Sequence, residues 1–96
     1  MTNTYKTLII ESMNSINWSP KALKQVRKLD RKDGATITKA VDSLATFPHC
    51  QNVKALTNHE YEYRLRVGNY RVFFNFDGVV SVVSVEEVKK RDERTY

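Results

Sequence analysis

Tyr61-Glu-Tyr-Arg-Leu-Arg-Val-Gly-Asn-Tyr-Arg-Val-Phe-Phe-Asn-Phe76 is written in strict alternation around a Gly-Asn pair. A two-residue Gly-Asn connection between alternating runs is a hairpin signal, and it sets Val67 opposite Tyr70, Arg66 opposite Arg71 and Arg64 opposite Phe73. Strand side chains point to opposite faces in turn, so the hairpin sorts into two surfaces. Tyr61, Tyr63, Leu65, Val67, Tyr70, Val72, Phe74 and Phe76 form an apolar one. Glu62, Arg64, Arg66, Arg71, Phe73 and Asn75 form the other. Facing Arg66 with Arg71 sets like charges side by side, which destabilises a sheet unless an anion or an acidic group sits between them. Phosphate suits that gap, because planar guanidinium forks match its oxygens two at a time.

Downstream, Asp77-Gly78 signals a second tight turn, and Val79 to Val88 reads as a valine-dominated strand, apolar on both faces over much of its length and lying inside the sheet. The charged run Lys89 to Tyr96 then closes the chain at the surface. Upstream, residues 49–59 read as a polar loop crossing back to the sheet. Two helices precede it. Ser19 caps the first, with Pro20 at its first position, where a missing N–H costs nothing. Ala22, Leu23, Val26 and Leu29 turn inward at helical spacing, while Lys21, Lys24, Arg27, Lys28 and Arg31 turn outward. A turn is expected at Asp33-Gly34, followed by a helix with Ile37, Ala40, Val41, Leu44 and Ala45 inward, stopped by Phe47-Pro48. Ser15 to Ser19 alternates as a short strand. Residues 1–13 read as a strand, a helical turn or an appended segment. The expected fold is α+β in a single domain over 1–96: an N-terminal strand, a helical hairpin and a three-stranded antiparallel meander, with the helices on one face of a small twisted sheet.

Ninety-six residues suffice for one modest core. The hydrophobic content of 41% beside 28% charged residues is that of a globular chain and excludes a disordered one. Sixteen Lys and Arg against eleven Asp and Glu leave a net charge of +5, which favours a polyanionic partner or an acidic protein. A lone Cys50 excludes an internal disulfide and fits a reducing, cytoplasmic setting. Neither a membrane span nor a secretion signal is indicated. His49, Cys50 and His59 lack metal-ligand spacing and read as structural or solvent-facing; no metal or cofactor is expected.

The run Tyr63-Arg-Leu-Arg-Val-Gly-Asn-Tyr-Arg-Val-Phe73, then a turn, a valine-rich strand, and Val88-Lys-Lys-Arg91 with a tyrosine shortly after, resembles the RelE/ParE superfamily of toxins from bacterial toxin–antitoxin systems. The likeness covers roughly residues 14–96 in the same element order. It implies one of two activities on one fold: RelE-like members cleave messenger RNA in the ribosomal decoding site, and ParE-like members poison DNA gyrase. By resemblance, Arg71 matches the arginine that steadies the scissile phosphate, Arg64 a strand position that is lysine in the founding member, Arg91 the arginine after the last strand, and Tyr96 the terminal tyrosine that activates the ribose hydroxyl. Glu62 departs from the pattern, standing where that member has lysine, and Arg91 lies one residue closer to the tyrosine. The expectation is a ribosome-dependent endoribonuclease, with a cognate antitoxin, the 70S ribosome with its 16S ribosomal RNA, and messenger RNA as partners.

The remaining basic and aromatic residues carry paired readings. Lys21, Lys24 and Lys28 of the first helix serve either as a solvated face or as contacts to ribosomal RNA phosphates, and Lys89 and Lys90 are expected to contact RNA. Arg66 either contacts RNA or pairs with Glu62 or the C-terminal carboxylate. Arg64 and Arg71 are catalytic or antitoxin-binding. Phe73 either stacks a base or is covered by the N-terminal segment. A third functional option, a degraded toxin that only binds its antitoxin, rests on Glu62.

Overall fold

A computed structural model describes residues 13–91 of the chain. The elements run β1 (Ser15–Trp18), α1 (Pro20–Arg27), α2 (Arg31–Asp42), a 3-10 turn (Ser43–Thr46), β2 (Val53–Ala55), β3 (Tyr63–Val67), β4 (Tyr70–Asp77) and β5 (Val82–Lys90). They build one five-stranded sheet in the order β1-β5-β4-β3-β2. β2, β3, β4 and β5 pair antiparallel in succession, and β1 joins β5 in parallel. The expected α+β arrangement with helices on one face is thus the observed one, with an extra edge strand. β5 does lie inside the sheet, between β1 and β4.

The central hairpin has the register its alternation implies: Val67 faces Tyr70, Arg66 faces Arg71, Leu65 faces Val72 and Arg64 faces Phe73. Gly68 makes the turn at φ 55, a left-handed conformation that a side chain would strain. The apolar surface packs as a core of Leu65, Val67, Val72, Phe74, Val83, Val85 and Val88 against Ala22 of α1, Ile37 and Val41 of α2, and Leu44. Phe47 stands edge-on to Tyr63, Phe74 and Phe76, with ring centroids 4.8, 5.4 and 5.0 Å away. Phe74 is fully buried there; cutting it to alanine would cost roughly 3–5 kcal/mol.

Several boundaries differ from expectation, each for a local reason. The helices are joined at Lys28–Asp30, and Gly34 lies inside α2, because the Asp30 carboxylate caps the helix by accepting from Asp33 N–H at 2.7 Å. Leu23 is exposed. Residues 53–55 form β2, too short for periodicity to reveal. The turn after β4 spans Gly78 to Ser81, with Ser81 at φ 56 and the Asp77 carboxylate accepting from Val79 N–H at 2.9 Å. Val79 and Val80 are therefore exposed turn residues, and β5 begins at Val82. The register slips at Phe73/Phe74, which pair with Glu87 and Val85 and leave Glu86 as an extra residue. That bulge restarts the alternation, so Val83, Val85 and Val88 all reach the core while Glu87 and Lys89 face away.

α1 also closes an edge. β1 ends opposite Val85, and beyond it Ser19 N–H donates to Val85 O (2.8 Å), Ser19 Oγ donates to Glu86 O (3.0 Å), and Val88 N–H donates to Gln25 Oε1 (2.7 Å). Backbone groups that a longer β1 would have paired are satisfied by the helix instead. The reading of residues 1–13 as a strand, helical turn or appended segment lies outside the described residues, Met13 apart.

Candidate nucleic-acid interface

The sheet face turned away from the helices carries its cations in ranks set by strand register. Arg66 on β3, Arg71 on β4 and Lys89 on β5 stand abreast. One rank along, Lys54 on β2, Arg64 on β3, Phe73 on β4 and Glu87 on β5 stand abreast. Arg91 follows β5 and is drawn to the hairpin turn by its N–H, which donates to Asn69 O at 2.6 Å. Arg64, Arg66, Arg71 and Arg91 thereby line one cavity of about 160 Å³, together with Gly68 and Tyr70.

Among the described residues the ion pairs join Lys21 to Glu87 (3.5 Å) and Lys89 to Glu87 (3.8 Å), and none involves an arginine. The Arg64 Nε is buried without a hydrogen-bond partner. Four guanidinium groups around one cavity, unmatched by carboxylates there, form an anion seat whose mutual repulsion a bound phosphate would relieve.

The other expected site residues divide. Lys21, Lys24 and Lys28 share one stripe of α1 with Gln25 by helical spacing, and Gln25 and Lys21 reach β5 directly, so this stripe borders the arginine face. Lys90 does not: it pairs with Tyr70 and lines a cavity on the helix side with Asp33, Thr36 and Ile37, because strand alternation turns it opposite to Lys89. Tyr96 lies outside the described residues.

Phe73 is not open to stack a base. It is 7% exposed, and among the described residues the loop before β3 packs on it; the N-terminal segment expected to cover it lies outside the described residues. The His59 imidazole stacks on it at 5.0 Å and 18°, and Tyr61 tilts against it at 5.7 Å. Tyr61 therefore leaves the apolar surface where alternation placed it, because β3 starts only at Tyr63. Glu62 does not pair with Arg66. Its carboxylate accepts from Phe76 N–H (2.9 Å) while its own N–H donates to Asn75 Oδ1 (2.8 Å), which prolongs the β3–β4 ladder with side chains.

Two phenols of the site's surroundings, Tyr61 and Tyr70, are shifted away from ionisation. Burial pushes the Tyr61 hydroxyl up to about 12, with the Glu60 and Glu87 carboxylates adding to the shift. The Tyr70 hydroxyl is also raised, first by its 2.8 Å bond to Asp33 Oδ2, which ties β4 to α2. Sequence reading missed His59 and Lys54 as neighbours of the arginines. The available signal was Asn58, which takes φ 53 and turns the loop back over the sheet.

Among the described residues no group of three or more His, Cys, Asp or Glu is placed to hold a metal ion, and no helix is long and apolar enough to cross a membrane.

The fold has solved relatives. The toxin–antitoxin complex RelBE2 from Mycobacterium tuberculosis contains a chain similar at TM-score 0.71 and 21% identity, over 82% of this chain and 99% of that one. The RelE–RelB complex of Pyrococcus horikoshii gives TM-score 0.72 and 20% identity over 84% and 98% of the two chains. The intact Escherichia coli RelBE toxin–antitoxin complex gives 0.65 and 25% over 84% and 99%. Among curated proteins none matches the sequence. The profile of a family described as the ParE toxin of the type II toxin–antitoxin system parDE matches residues 16–93. With that span inside the match, and with the fold of RelE toxins around it, the chain belongs to the ParE toxin family and is a type II toxin of the RelE/ParE superfamily.

Proposed function

We propose that this toxin is a ribosome-dependent endoribonuclease that cleaves messenger RNA in the decoding site, stops translation, and is neutralised by a cognate antitoxin. The observation that carries the reading is the cavity lined by Arg64, Arg66, Arg71 and Arg91, without carboxylate partners among the described residues. Cleavage through the RNA's own 2′-hydroxyl needs that hydroxyl deprotonated, the phosphate charge neutralised and the leaving oxygen protonated. The arginines perform the second task, with Arg71 central between Arg66 and Lys89.

Tyr61 and Tyr70, both shifted up, are unsuited as bases at neutral pH. Proton transfer falls to the Tyr96 hydroxyl or to the ribosome. A site that supplies charge but little acid–base chemistry works slowly until another body positions the substrate, in keeping with dependence on the ribosome. The lysine stripe of α1 then serves ribosomal RNA phosphates. A cognate antitoxin is supported by solved neighbours that are toxin–antitoxin complexes.

The second reading, a gyrase poison that cleaves nothing, is favoured by the matched family's description as a ParE toxin. Induction with two readouts separates them. Early loss of translation with cuts inside translated messages supports the nuclease; DNA damage with translation at first intact overturns it. Mapping message ends in an in vitro translation reaction with purified toxin separates the two readings without cells.

A further inference from the structure

We infer that His59 is a base-stacking platform for a single-stranded nucleic acid, seating the nucleotide next to the phosphate held by the arginines; its place in cleavage rests on the nuclease reading above. His59 is exposed, yet its ring is held: it stacks on Phe73 at 5.0 Å and 18°, and Tyr61 tilts against it at 5.9 Å and 45°, so the exposed part of the residue is what these two rings do not cover. Its Nδ1 accepts from Tyr61 N–H at 3.0 Å, which opposes rotation of the ring about its Cβ–Cγ bond.

The loop beneath is pinned at its base. Leu56 N–H donates to Glu62 O (2.9 Å), and Glu62 bonds Asn75 and Phe76 of β4. An aromatic surface fixed before ligand arrives spares the ordering cost that a free side chain would incur.

Position gives the surface its use. Phe73 under the imidazole stands directly across from Arg64 and two residues along β4 from Arg71 on the same face, so the platform adjoins the arginine cavity by one register step. A nucleotide offers a phosphate and a flat base at about that offset, and base–aromatic stacking beside a basic groove is the general way single strands are held.

Proton transfer by the same ring fits the geometry less well. With the Nδ1 lone pair taken by Tyr61 N–H, the neutral imidazole carries its proton on Nε2 and has no free lone pair with which to accept one.

The test uses the full chain, a short single-stranded DNA containing 2-aminopurine, which lacks the 2′-hydroxyl and stays uncut, and a translation reaction with mapped message ends. Binding to the wild type should quench the probe. His59→Ala should lose about tenfold in affinity together with the quenching and cut messages correspondingly slower, while His59→Phe should keep all three near wild type. Thermal melts confirm that both variants are folded.

Equal binding and quenching by His59→Ala overturns the platform. So does a His59→Phe protein that binds the probe but cuts as poorly as His59→Ala with an altered pH profile, since that assigns the ring to proton transfer. His59-dependent quenching in a wild type that cuts no message upholds the platform and overturns the nuclease reading instead.

Discussion

The open face of the sheet has two ends, and they use their charged side chains in opposite ways. Near the Asp77–Ser81 turn, Glu62 caps Phe76 N–H, Asn75 Oδ1 holds Glu62 N–H, and Asp77 holds Val79 N–H. Each polar group there completes the backbone. Near the Gly68 turn, Arg64, Arg66, Arg71 and Arg91 share a cavity, and none is in an ion pair among the described residues. Between the ends lies the shelf of His59, Tyr61 and Phe73, with Glu87 held by Lys21 and Lys89 beside it. Charge engaged in folding cannot easily be given to a ligand without unfolding something. Charge left over, and placed against like charge at a cost to stability, is where a ligand is to be expected.

The sharpest way to break that contrast is Arg71→Ala. If the basic end is the site, message cleavage should fall by about 10²- to 10³-fold, as on losing one well-placed donor to a developing charge. The melting temperature should hold or rise slightly, because a cation between Arg66 and Lys89 is gone. Undiminished cleavage by the folded variant defeats the assignment.

Glu62→Ala probes the other end and should do the reverse. Urea unfolding should show a loss of about 1 kcal/mol for the missing bond to Phe76 N–H, with cleavage per folded molecule falling far less than in Arg71→Ala. A Glu62→Ala protein as stable as wild type but changed in activity would place the acidic end in the site and erase the distinction.

A smaller effect sharpens the border. Lys24→Ala and Lys28→Ala should each lower the salt dependence of single-stranded RNA binding by about one unit of log–log slope. An unchanged slope would mean that the α1 stripe is only solvated.

The smallest signal is at alkaline pH. The Tyr61 hydroxyl is raised from 10.0 to about 12, so its neutral form is favoured by the fold; its contribution is whole below pH 10 and is lost as pH rises toward 12. Tyr61→Phe should flatten the decline in melting temperature across that window, and an unaltered decline would show that the shelf does not bury the phenol.

Much of this was legible in the chain, and what was legible shared a cause. The Gly68-Asn69 connection, the facing of Arg66 with Arg71, the Ser19 cap with Pro20 behind it, and the inward Ile37, Val41 and Leu44 all follow from residues that act within a few positions of one another. Local alternation and capping need no distant partner to be read. What escaped depended on contacts made across the fold. Val88 finds its acceptor in Gln25, which lets α1 close the β5 edge. Glu86 becomes a bulge against β4, which returns Val88 to the core and turns Lys89 and Lys90 to opposite faces. His59 lies down on Phe73, which converts an open ring into a covered one and puts another in its place. Strand pattern alone assigned the arginines to a common face, because direction alternates along each backbone. Packing between remote segments assigned what surrounds them, because burial and pairing are properties of neighbours that the linear order does not bring together.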